Sequence, residues 1–192
     1  MTSCSAPGVI SLYTIVIKRS LFLPALSRPH HAGSTHEQNA KPGIQRQYTG
    51  YWLIASKTNI DALDKQLMVD AVILDASIGP PHGSVAGQPI PPAHIVASAC
   101  FLLTIPETYC NLNGVMHGGA AGVIFDMFTT CALGPVARPG YWDFMGGVTG
   151  SLNISYLKAV PKGTMIHVHA HVYQVGRTMA GQYLQVGYFP KS

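Results

Sequence analysis

The run from Asn111 to Asp126, NLNGVMHGGAAGVIFD, holds the residues whose types and spacing suit chemistry. His117-Gly118-Gly119 stands directly before an apolar stretch with the makings of a helix. The backbone N–H groups of a first helical turn have no partner inside the helix and point outward at the positive end of its dipole. Glycines there let a ligand come close to the backbone. Such a place suits a developing oxyanion, or a carbonyl that is to be polarised. The plainer reading of the same three residues is a tight turn that needs positive φ, with His117 as a partly buried side chain.

Asp126 adds weight to the chemical reading. It is the only charge between Glu107 and Arg138, and it sits among Val123, Ile124, Phe125, Met127 and Phe128. A carboxyl in apolar surroundings without a basic neighbour is held toward its neutral form or put to work as an acid or base. The plainer alternative is a solvent-facing Asp on a narrow stripe with Thr129 and Thr130. Spacing then sets a limit. Gly118 and Asp126 are eight residues apart, about 12 Å along a helix. One helix cannot bring both to the same reacting carbonyl, so if both act, Asp126 of a second chain must meet Gly118 of the first across a two-fold interface.

Two other groupings have weaker chemistry. His167, His169 and His171 alternate along a strand and project from one face. Three ligands in a row on one strand cannot easily surround one ion, so no metal site is expected and no cofactor is called for. Cys110 lies seven residues before His117, but no third group stands ready to orient such a pair.

These residues need elements to hold them. Thr58 to Lys65 reads as a short helix, Met68 to Ala76 as a strand, and Ile95 to Ile105 as a second strand stopped by Pro106. Ile78 to His94 holds five prolines and three glycines, which makes it a loop. Ala120 to Leu133 reads as the central helix, ended by Gly134-Pro135. Gly147 to Leu157, Met165 to Val175 and Thr178 to Tyr188 read as three further strands with glycine-containing turns between them. This order predicts an α+β fold, an antiparallel sheet wrapped on one central helix.

Composition narrows the field. Of 192 residues, 47% are hydrophobic and 10% charged, which excludes disorder as the dominant state. So few charges predict a surface partly covered by another subunit. No run of about 18 uncharged apolar residues is present, so no membrane partner is expected. The net charge of +4 is mild, and no Lys or Arg occurs from Gln66 to Ala137. Basic clusters interleaved with aromatics are missing, which argues against nucleic acid. Four cysteines without a CxxC pair read as free thiols in a reducing, intracellular compartment. Residues 1–46 read as a tail, disordered or targeting, ahead of a globular domain over 47–192. The tail's apolar stretch is interrupted by Lys18, Arg19 and Pro24. Its lack of acids before Glu37 fits a mitochondrial leader as well as a plain cytoplasmic tail.

Asn111, Gly114, His117-Gly118-Gly119 and Asp126, followed by Thr149, Asn153-Ile154-Ser155-Tyr156-Leu157, Gly163 and Val175-Gly176-Arg177-Thr178, resemble the PaaI-type branch of the hotdog-fold acyl-CoA thioesterases. The resemblance runs from about Asp61 to Tyr188. It implies a lipid-metabolising thioester hydrolase acting as a homodimer or tetramer on acyl-CoA or an acyl-carrier thioester. On these positions it implies that the Gly118 N–H polarises the carbonyl and that Asp126 of the partner chain activates water or attacks directly. It further implies that Asn111 holds the water or thioester, that His117 supports the carbonyl side, and that Thr149 lies near the water. Gly119, Arg177 and Lys158 become candidates for substrate contact, the two cations for CoA phosphates. A hydratase would need a further His on the helix after Asp126, and none follows there. A non-catalytic acyl-thioester-binding subunit is the other alternative. The resemblance also implies one more strand after Thr178–Tyr188, where this sequence has only Phe189-Pro190-Lys191-Ser192, so a C-terminal edge strand is expected to be missing.

Overall fold

The computed structural model of the chain describes residues 8–18 through their backbone, together with 63–79, 94–138, 140–142 and 147–188. In chain order the elements are β1 (Gly8–Lys18), α1 (Leu63–Asp70), β2 (Val72–Ile78), β3 (Ala97–Thr104), α2 (Gly118–Ala132), β4 (Val148–Ile154), β5 (Met165–Val175) and β6 (Met179–Tyr188). The strands form one antiparallel sheet of six in the order β2-β3-β5-β6-β1-β4. The expected α+β arrangement, a hotdog fold with the sheet around one long helix, is what the chain adopts.

Alternation on β5 explains how the layers meet. Ile166, Val168, Ala170 and Val172 are fully buried on the face toward α2. They stand opposite Leu103, Phe101, Ala99 and Ala97 of β3. From the helix, Ala121, Ile124, Phe125 and Phe128 close the same core, and the Phe101 and Phe128 rings stack at 4.4 Å. Each of the Ile, Val, Leu and Phe side chains among them contributes roughly 1.5–3 kcal/mol by leaving water. With its 3-10 extension the helix runs Gly118–Val136, long and apolar enough by composition to cross a membrane. More than half of that window is instead buried inside the protein.

Three expectations need correction or refinement. Met68 to Ala76 is not one strand: α1 continues to Asp70, and β2 starts at Val72. Leu67, Met68 and Ala71 are all buried, so the helical turn wins over the β-rich composition that follows it. The second change concerns the tail. Within residues 1–46, Gly8–Lys18 is a strand of the sheet, not a segment outside the domain. It pairs with β6 along its whole length, from Gly8↔Tyr188 to Lys18↔Met179, and with β4 on its other side. The bare edge expected beside β6 is therefore occupied by β1. The Pro-rich stretch from Ile78 to His94 falls mostly outside the described residues.

Candidate active site

The loop before α2 is braced from several sides. The N–H groups of Asn113 and Val115 donate to Asn111 Oδ1 at 2.9 and 3.4 Å, and Gly114 turns with φ +71°. The Met116 N–H donates to the Val160 carbonyl and the His117 N–H to the Tyr109 carbonyl, each at 2.8 Å. His117 is then the N-cap of α2 in extended conformation, and its Nδ1 accepts the Gly119 N–H at 3.0 Å. A His in this role satisfies one of the unpaired donors of the first turn. The Gly118 N–H, the next donor toward solvent, carries no hydrogen bond among the described residues.

Gly118 has a neighbour that the sequence did not single out as a site residue. The Tyr156 hydroxyl donates to the Gly118 carbonyl at 2.9 Å. A Cβ at Gly118 would stand 3.4 Å from that hydroxyl, within van der Waals contact. Beside them opens a groove of about 420 Å³ lined by Met116, Gly118, Ala121, Phe125, Tyr156 and Lys158, among others. Its walls are mainly apolar, with Lys158 at the exposed rim. That combination fits an apolar ligand along the floor with an anionic group near the cation.

Asp126 lies on the same helix but is not among the residues that line this groove. It is half-buried, and the Thr149 hydroxyl of β4 donates to its Oδ1. Thr149 pairs with Ile17 of β1, next to an irregularity in the β1–β4 register between Val16 and Ile17. Bulges of this kind re-aim side chains and recur beside functional sites. Asp126 has no ion-pair partner among the described residues.

The structure thus gathers the candidate residues in two places on α2. His117, Gly118, Gly119 and Lys158 meet at its N-terminal end, with Tyr156 added, while Asp126 and Thr149 meet two turns along it. Asn111 stands in the loop that leads to the first group, where its side-chain oxygen is already engaged. Arg177 is exposed in the turn between β5 and β6 and lines neither place. The Tyr156 contact spans 38 residues of sequence, and its only sequence signal was membership of the run after β4.

Residues 113–181 match the family model described as the thioesterase superfamily. A Caenorhabditis elegans protein with the provisional name of an esterase is 32% identical over 78 residues, 41% of this chain and 43% of that one. Human acyl-coenzyme A thioesterase 13 is 31% identical over 78 residues, 41% of this chain and 52% of its own length. The chain spans about half the length of the curated relatives it matches. The crystal structure of mouse thioesterase superfamily member 2 superposes with a TM-score of 0.50 at 14% identity, covering 78% of this chain and 98% of that one. The sheet-and-helix architecture is that of the hotdog fold, and within it residues 113–181 are similar to the thioesterase superfamily.

Proposed function

We propose that the protein is an acyl-CoA thioesterase, hydrolysing an acyl thioester to a free acid and a thiol. The observation that carries the reading is the Thr149–Asp126 hydrogen bond, a carboxylate oriented by a hydroxyl and left without a cation among the described residues. A carboxylate held in that way is free to take a proton. The matched segment and the name of the human relative point to the same reaction class.

In this reading the thioester carbonyl sits at the N-terminal end of α2, its oxygen receiving the Gly118 N–H and the helix dipole. His117 keeps the neighbouring N–H occupied and so leaves Gly118 as the donor of the first turn. Asp126 of a second copy removes a proton from water, and the water oxygen bonds to the carbonyl carbon. Collapse of the tetrahedral adduct breaks the C–S bond, and the departing thiolate takes up the proton. Direct attack by Asp126 would pass instead through an anhydride that water then opens. The two-copy arrangement follows from the helix itself, because about 12 Å separates Gly118 from Asp126 along one axis. Lys158 is placed to meet an anionic part of the thiol carrier, such as a CoA phosphate.

The test is thiol release from a panel of acyl-CoA esters by the full chain and by Asp126→Ala. Turnover in the parent that falls about 10²–10⁴-fold in the variant supports the reading. Unchanged turnover in Asp126→Ala overturns the role of that carboxylate. A folded chain that is inactive on CoA esters but active on carrier-bound ones would correct the substrate, and one inactive on both would leave a binding subunit.

A further inference from the structure

The face of the sheet turned away from α2 is unusually polar for a buried surface. Cross-strand pairing lays it out in rows: Asp75, Cys100, His169 and Gln185 stand side by side on β2, β3, β5 and β6. Cys100 and His169 are 4% and 5% exposed. His167 lies two residues along β5 on the same face, half-buried. One potential ligand atom from each of Cys100, His167 and His169 falls within 4.8 Å of the others.

We propose that Cys100, His167 and His169 form a binding site for a zinc-class divalent cation, separate from the groove at the start of α2. Three residues on one strand make a poor cage, but here the third donor comes from β3, directly opposite His169. One thiolate and two imidazoles are the donor set that zinc and cobalt(II) prefer. Ideal tetrahedral bonds to S and N place donor atoms about 3.3–3.7 Å apart, so the three must close by about 1 Å, within reach of rotamer adjustment. As a ligand Cys100 binds through its sulfur as the thiolate, so a cation takes the place of the thiol proton. Binding therefore forms an M–S bond and releases one proton to solvent. Asp75, paired with Cys100 across β2–β3, brings negative charge to the same face and lowers the cost of a dication there. The fourth position is left for Asp75 or water. His171 stands apart from the set, its ring stacked on Tyr183 at 4.7 Å.

The site rests on the sheet register and not on the thioesterase reading, so its test needs no turnover. Titration of the reduced full chain with Co²⁺ should give one bound equivalent and a thiolate-to-cobalt charge-transfer band in the near ultraviolet, displaced by Zn²⁺. Cys100→Ser should lose the band, and His171→Gln should keep it. In the native chain, one equivalent of Zn²⁺ should slow alkylation of Cys100 about tenfold relative to Cys131, read peptide by peptide, which covers the case of a variant that folds poorly. A native chain without stoichiometric cobalt binding, a band that survives Cys100→Ser, or zinc that leaves the two alkylation rates in their original ratio would each overturn the site.

Discussion

The Thr149 hydroxyl donates to Oδ1 of Asp126, joining β4, the strand at the end of the sheet, to the middle of the central helix over 23 residues of sequence. The carboxylate is thereby fixed in direction as well as in place. One of its oxygens is occupied, and the other takes no hydrogen bond among the described residues. A helix residue alone would swing among rotamers, whereas this one is tied to β4 and, through the Thr149↔Ile17 pair, to β1.

Thr149→Ala is therefore expected to lower kcat about 10–100-fold, the equivalent of a hydrogen bond to a charged group at roughly 1.5–3 kcal/mol. Thr149→Ser, which keeps the hydroxyl, should retain most of the rate. Steady-state kinetics of the two variants checks this. Equal losses would mean that the β-branched methyl matters and the hydroxyl does not.

The two-copy site can be tested by mixing defects. Gly118→Pro removes the first-turn N–H at a position where helices accept proline, although Tyr156 must give slightly. Asp126→Ala removes the carboxylate. Each variant alone should be nearly inactive. Random pairing of the two should restore about a quarter of the parental rate, because half the dimers are mixed and each holds one intact site. No restoration from a mixture shown to exchange subunits would place both groups in one chain's site.

β1 should be essential to the sheet despite its distance from the matched segment. Ile15 has a partner on each side, Leu152 of β4 and Gln182 of β6. Ile15→Pro should cost about 3 kcal/mol or more, because proline cannot donate within an interior strand. In a chain of this size that is a drop of about 6–12 °C in the unfolding midpoint. Thermal unfolding followed by circular dichroism reads it directly, and an unchanged midpoint would mean that β1 is dispensable.

Alkaline conditions should expose a different weakness. Burial, and then the Asp70 charge, push the Tyr109 phenol up to about 12. The folded chain thus holds this proton more tightly than the unfolded one, whose phenol titrates near 10. Stability from this group is intact below pH 10 and is lost as pH rises from 10 through 12. The Tyr109 hydroxyl is buried without a hydrogen-bond partner, so Tyr109→Phe should be neutral or slightly stabilising at pH 7. It should also flatten the alkaline loss by on the order of 1–2 kcal/mol. Urea unfolding at pH 7 and pH 11 separates the two effects.

Much of the scaffold was legible because its signals are local. The Ile-x-Val-x-Ala-x-Val alternation marks β5 at its observed bounds, and Gly118 and Gly134-Pro135 bracket α2. The end of α1 and the start of β2 were misplaced because one apolar run, Met68 to Ala76, contains the end of a helix and most of a strand. β1 was misjudged for a related reason. A strand with neighbours on both sides reads as a continuous apolar run, and its interruption by Lys18, Arg19 and Pro24, with no acid before Glu37, gave it the look of a tail or a mitochondrial leader. Within the candidate site, Gly118 and Asp126 stood out by residue type and surroundings alone. Tyr156 did not, since its contact with Gly118 exists only after β4 has folded back along the helix.

The seating of Gly8–Lys18 between β6 and β4 also sets the order of assembly. β1 and β6, far apart in sequence, are neighbours in the sheet, and among the described residues β4 reaches the remaining strands only through β1. β1 lies far ahead of β6 in the sequence, so on the ribosome it has to wait for β6 before the two can pair. Until then β4 has no place in the sheet, and Thr149 has no fixed address. Pairings of such long sequence separation fold slowly and leave edges exposed in the meantime. The orientation of Asp126 is therefore among the last features to form, and a nascent chain shorn of its first strand would carry the site's residues without their geometry.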